Sequence, residues 1–136
     1  MIEVVSRQRK KKIDTEAWQA FAGKAADAIG QNGASATIAF VSDKTIRQLN
    51  RQFRGVDKAT DVLSFPADDP DNSNLGDIAI SVDTASAQAK ENGLTFDEEV
   101  AQLILHGLLH LSGYDHETDN GEMNRLELRM RKKLGI

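Results

Sequence analysis

Cysteine is absent from the 136 residues, so the chain has no disulfide partner and no thiolate metal site. A reducing compartment fits that absence. No stretch approaches the ~20 consecutive apolar residues needed to span a bilayer. The start, Met1-Ile2-Glu3-Val4-Val5-Ser6-Arg7, lacks the long apolar core of a secretory signal. Together these absences lead to an expectation of a cytoplasmic protein with no membrane partner. Prolines number two and aromatic residues make up 5%, yet the hydrophobic share of 40% is enough for one compact core. Histidine is scarcest where it matters: the chain has three, and all fall within eleven residues.

Those residues are His106-Gly107-Leu108-Leu109-His110-Leu111-Ser112-Gly113-Tyr114-Asp115-His116. Positions four apart on an α-helix lie about 40° apart around the axis and ~6 Å along it. His106 and His110 therefore point the same way and can share one ion. Gly113 can take a positive φ without Cβ strain, ending the helix and turning His116 back toward the same ion. Three neutral imidazoles with an open fourth position describe a catalytic zinc site, here with one Zn²⁺. The pattern is that of the metzincin proteases with one departure: Gly107 stands where their general-base glutamate belongs. A closed structural zinc is the alternative, with Asp115 or Asp119 as the nearby fourth ligand.

Charge is unevenly spread. The net charge is −4, but Arg7 to Lys12 form a basic run, as do Arg125 to Lys133. Arg47, Arg51 and Arg54 recur at helical spacing and share a face. Acid gathers at Asp68-Asp69-Pro70-Asp71 and Asp97-Glu98-Glu99. Each basic cluster, taken alone, reads as a solvated face.

Hydrophobic periodicity predicts strands at Ile2–Ser6, Ser35–Val41, Asp61–Phe65 (ended by Pro66) and Leu75–Val82. It predicts helices over Thr15–Asn32 (stopped by Gly33), from a Ser42 or Asp43 cap to Phe53, over Asp83–Asn92, and over Gly121–Leu134. In the second helix Ile46, Leu49 and Phe53 are expected inward. Residues 67–74 read as a surface loop. Thr95-Phe96-Asp97-Glu98 is a capping box opening the histidine helix, which is apolar nearly all round and hence buried. The expected fold is α+β: a single domain, 1–136, with a mixed four-stranded sheet packed with helices and the metal-binding helix against it. The third and fourth strands are expected to be antiparallel.

The histidine motif resembles that of the YbeY-type endoribonucleases, the bacterial rRNA maturation factors. Leu49-Asn50-Arg51-Gln52-Phe53-Arg54 with Asp61-Val62-Leu63-Ser64-Phe65-Pro66 is similar to that family's second motif, and Leu75-Gly76-Asp77-Ile78 to its third. Ala59 departs from the family's frequent proline, which touches loop stiffness and not chemistry. The resemblance implies a single-strand-specific, metal-dependent endoribonuclease acting on ribosomal RNA at the 3′ end of the small-subunit rRNA. It also implies a role in ribosome quality control, with the ribosomal small subunit as partner. By that resemblance His106, His110 and His116 are zinc ligands and Arg54 holds the phosphate. Two rival readings stay open: a metallopeptidase or amidohydrolase borrowing Glu117 or Glu122 as base, and a non-catalytic ribosome-associated zinc module.

Overall fold

The computed structural model describes residues 1–68, 73–115 and 119–136. Its elements run β1 (Ile2–Ser6), α1 (Thr15–Ala28), β2 (Ser35–Val41), α2 (Asp43–Arg54), β3 (Val62–Pro66), β4 (Asn74–Ser81), α3 (Val82–Asn92), α4 (Phe96–Leu111) and α5 (Glu122–Leu134). The sheet order is β1-β2-β4-β3. β1 and β4 pair with β2 in parallel, and β3 pairs with β4 antiparallel. The expected mixed four-stranded sheet is present, with β3 at one edge.

Alternation along the strands separates two apolar faces. Ile2, Val4, Ala36, Ile38, Phe40, Ile78 and Ile80 meet α1 through Ala22, Ala25 and Ala26, and α4 through Val100, Ile104 and Leu108. On the opposite face Val41, Leu63 and Ala79 are covered by Ile46 of α2. The outer side of α4 is not solvated either, because Leu105 and Leu109 pack on Met123 and Met130 of α5. This helix lies between the sheet and a second helix, which is why its sequence is apolar nearly all round. Each fully buried Leu or Ile in it contributes roughly 1.5–3 kcal/mol, and that anchors the histidines in a rigid layer.

Caps fix the helix starts. Asp14 accepts the Ala17 N–H at 3.1 Å and Ser42 the Thr45 N–H at 3.3 Å. Three expectations are corrected. The first helix ends at Ala28 and not Asn32, because Gly30 at φ +84° turns the chain before Gly33 is reached. The third helix begins at Val82, capped by Ser81, so β4 is one residue shorter at that end. Phe53 does not point inward. It is 60% exposed, since the last turn of α2 borders an open cleft, with the Phe65 ring 5.2 Å away. The predicted 67–74 loop is seen only at its ends; residues 69–72 lie outside the described residues, and Asn74 already belongs to β4.

Candidate active site

The capping box sets the start of α4. The Thr95 hydroxyl accepts the Glu98 N–H at 3.1 Å, and the Glu98 carboxylate accepts the Thr95 N–H at 2.9 Å. The Thr95 backbone N–H and, second, its side chain hold the Glu98 carboxyl below the usual carboxylate range. At the other end Gly113, at φ +99°, reverses the chain, and Tyr114 N–H bonds back to the Leu109 carbonyl at 3.1 Å. The histidines occupy the last two turns. His106 and His110 bring their Nε2 atoms to 3.0 Å, with the rings nearly perpendicular at 80°. His116 lies outside the described residues, so the structure brings together two of the three expected ligands.

The tautomer of His106 follows from its other nitrogen. Nδ1 stands 2.6 Å from Glu127 Oε1 on α5. A carboxylate only accepts, so Nδ1 carries the proton and donates it, which leaves Nε2 as the nitrogen that would present a lone pair to a metal. Glu127 is buried, and Arg131, one turn on, donates from Nη2 to its second oxygen at 3.2 Å. Two nitrogens bound tetrahedrally at ~2.05 Å to one zinc stand about 3.3 Å apart, close to the spacing seen here. The donor set therefore fits a divalent metal: convergent Nε2 atoms, one of them with its Nδ1–H on a carboxylate, as metal-bound imidazoles usually are.

Gly107, the departure from the protease pattern, has a packing reason. A Cβ at this position would meet Ile78 Cδ1 of β4 at 2.9 Å. The helix approaches the sheet through this gap, and Ser64 of β3 donates to the Gly107 carbonyl at 3.4 Å. A glutamate here would be driven into the core and not toward an ion. Gly76 of β4 is also required, where the strand pairs with the end of β3. At φ +130° it lies so close to the Phe65 carbonyl and the Ala67 N–H that no side chain fits.

The paired Nε2 atoms face a cleft of about 860 Å³. One wall is β3, from Val62 to Pro66; the second is α4 and its exit, with Gly113, Tyr114 and Asp115; the third is the end of α2, with Phe53 and Arg54. Arg54 thus lines the same cleft as His106 and His110, and it has no ion-pair partner among the described residues. Its neighbours on the helix differ. Arg47 is held bidentately by Asp57, at 2.8 and 3.1 Å, away from the cleft. Beyond His106 a second cavity of about 590 Å³ opens, lined by Glu99, Gln102, Glu127 and Arg131. The two alternative bases fare differently. Glu122 is exposed at the start of α5, accepting the Asn120 N–H, and Glu117 lies outside the described residues.

Sequence reasoning missed Glu127. Its signal was available: it stands four residues after Met123 and three before Met130, an acid on the apolar stripe of α5. Buried carboxylates need partners, and a histidine supplies one.

The family model described as Endoribonuclease YbeY matches residues 3–135. The chain belongs to the YbeY endoribonuclease family. Relatives named Endoribonuclease YbeY include one from Nautilia profundicola, 54% identical over 99 residues, covering 73% of this chain and 71% of that one. Another, from Koribacter versatilis, is 46% identical over 133 residues, covering 98% and 86%. The solution structure of TM1509 from Thermotoga maritima superposes with a TM-score of 0.69 at 28% identity, over 98% of this chain and 89% of that one. Of the segments that carry the resemblance, Leu49–Arg54, Asp61–Pro66 and the described part of the histidine motif each contribute residues to the cleft, whereas Leu75–Ile78 does not line it. No helix among the described residues is long and apolar enough to cross a membrane.

Proposed function

We propose that the chain is a single-strand-specific endoribonuclease that holds one Zn²⁺ on His106, His110 and His116 and grips the scissile phosphate with Arg54. Membership of the family carries the hydrolase class and the RNA substrate. The further reading, ribosomal RNA at the small subunit's 3′ end in the cytoplasm, with a part in ribosome quality control, rests on the motif resemblance. The observation that carries the site is the convergence of the two Nε2 atoms and Arg54 on one cleft.

The chemistry is consistent with that assignment. Held by His106, His110 and His116, a zinc ion would supply Lewis acidity toward water and a phosphoryl oxygen. His106, fixed through Nδ1 by Glu127, offers its Nε2 lone pair in one orientation. Arg54 meets a phosphate with two parallel N–H donors and neutralises charge developing on its oxygens. Formal charge in the cleft also argues for a cation. Among the described lining residues Asp61, Asp68 and Asp115 stand against Arg54, one positive and three negative, a sum of −2 that a divalent ion would offset. The ends of α2 and α4 that border the cleft are C-terminal, where the helix dipole favours positive charge.

The peptidase reading is weakened by Gly107, whose place faces Ile78, and by the surface position of Glu122. The deciding experiment combines metal analysis with cleavage of a single-stranded RNA and a perfect hairpin, with and without chelator. We expect one zinc per chain and cutting confined to the single strand, abolished by chelation and restored by zinc. Zinc-loaded protein that leaves both RNAs intact overturns the proposal. If chelation also unfolds it, the structural-zinc module is the correct reading.

A further inference from the structure

Seven aromatic side chains are present, and five of them are spent on packing. Trp18, Phe21, Phe40, Phe65 and Phe96 all join the apolar clusters. The other two, Phe53 at 60% and Tyr114 at 36% exposure, are the exposed rings, and both line the cleft that holds Arg54 and the histidine pair. The remaining exposed large apolar residues, Met1, Val56 and Leu128, lie outside it.

We propose that Phe53 and Tyr114 are stacking platforms for the two bases that flank the scissile phosphate, an inference that rests on the nuclease reading above. Three observations support it. Phe53 and Arg54 both sit in the last turn of α2 and line the same cleft, so a nucleotide whose phosphate reaches the guanidinium has that ring within the same wall. The T-shaped contact of Phe53 with Phe65, 5.2 Å between centroids and 65° between planes, holds the ring without covering it. Tyr114 is set by the turn after α4, where its N–H is bonded to the Leu109 carbonyl, on the wall of the cleft formed by the histidine helix. Aromatic faces accept any base, so the platforms give affinity without sequence choice. They also select strandedness, because a base must leave its pair and its stack to lie on them. Single-strand preference is then a property of these two rings and not of the metal.

The test is single-turnover cleavage of a short single-stranded RNA by zinc-loaded protein over a range of protein concentrations. Variants are Phe53→Leu, Phe53→Trp, Tyr114→Leu, Tyr114→Phe and, as control, Leu128→Ser, with zinc content and melting measured for each. Two further substrates carry one abasic nucleotide on either side of the cleaved bond. Each leucine variant should raise the half-saturating concentration about 5- to 100-fold. The aromatic replacements and the control should stay near wild type. An abasic nucleotide should weaken wild-type binding by a similar factor and cost nothing further in the variant lacking the matching ring. If wild type cleaves but Phe53→Leu saturates at the wild-type concentration and still pays the full abasic penalty, the platforms do not exist. Should Tyr114→Leu lose zinc, Phe53→Leu decides alone, since no expected ligand adjoins it. Wild type that cuts no RNA overturns the nuclease reading and this inference together.

Discussion

The helix α2 begins in one polar cluster and ends in another, and the two are built to opposite purposes. At its start the carboxylates are answered within the chain. Asp43 accepts the hydroxyls of Ser81 and Thr84, each at 2.6 Å, and Asp83 accepts the Asp43 N–H at 2.8 Å while Lys10 pairs with it at 3.1 Å. Carboxylates stand here at the N-termini of two helices, where the dipole stabilises them. At its end the helix presents Arg54 and the exposed Phe53 to a cleft that α4 also reaches by its C-terminal end. The first cluster closes on itself and fastens α2 to α3. The second directs Arg54 and the Phe53 ring outward, into the cleft that the histidines also line. The charge sign at each end obeys the same electrostatics; what differs is whether the partner is inside the chain.

The sharpest way to break this contrast is at Arg54. Arg54→Ala should lower RNA cleavage by about 10²–10³, the usual cost of one lost donor to a developing charge, with zinc content and melting temperature nearly unchanged. Arg54→Lys should restore only part, since a point charge does not reproduce a two-pronged contact. Arg47→Ala, on the same helix but committed to Asp57, should leave the rate near wild type. Equal losses at both positions in single-turnover assays would mean that the arginines act only as a charged surface.

The next effect concerns the side of the cleft that the sequence did not advertise. Glu127→Gln keeps the size of the side chain but replaces an ionised acceptor by an amide. Zinc affinity, measured by competition with a chromogenic chelator, should fall about 10- to 100-fold, the range for lost partners of metal-bound histidines. Affinity that does not change would reduce Glu127 to a packing group.

How much of this was readable beforehand depended on how far apart along the chain the partners lie. The capping box of α4, the helical register of His106 and His110 and the turn at Gly113 are local, and periodicity with residue chemistry reaches them. The alternating strands and the mixed sheet followed from the same reasoning. Contacts between distant segments were not readable. Glu127 is 21 residues from His106. The need for glycine at 107 comes from Ile78, which only the sheet brings near. Arg47 and Arg54 look equivalent on a helical wheel, and only the loop carrying Asp57 separates them. Phe53 carries the right spacing for a core position, yet the layer that would cover it stops short of the cleft.

The smallest effect belongs to the closed cluster, and pH isolates it. Asp83 is held below the usual carboxylate range chiefly by the hydrogen bond from the Asp43 backbone N–H, which outweighs the opposing effect of burial, with a lesser contribution from the Lys10 ammonium. A carboxyl with a lowered folded pKa binds protons more readily in the unfolded chain. Its stabilisation is complete above the ordinary Asp value near 3.9 and drains away as pH falls through the lower folded value. Asp83→Ala removes the acceptor that caps α2 and should cost about 1 kcal/mol, a few degrees of melting temperature, at pH 7. Asp83→Asn keeps an acceptor oxygen and loses only the charge, so its deficit should be smaller. Both variants should converge toward wild type in thermal melts as pH drops below about 3.9, because the wild-type advantage is then protonated away. Zinc content and RNA cleavage at pH 7 should not move in either variant. A deficit that persists undiminished in acid would show that Asp83 acts by shape rather than charge, and the electrostatic account of this end of α2 would fall.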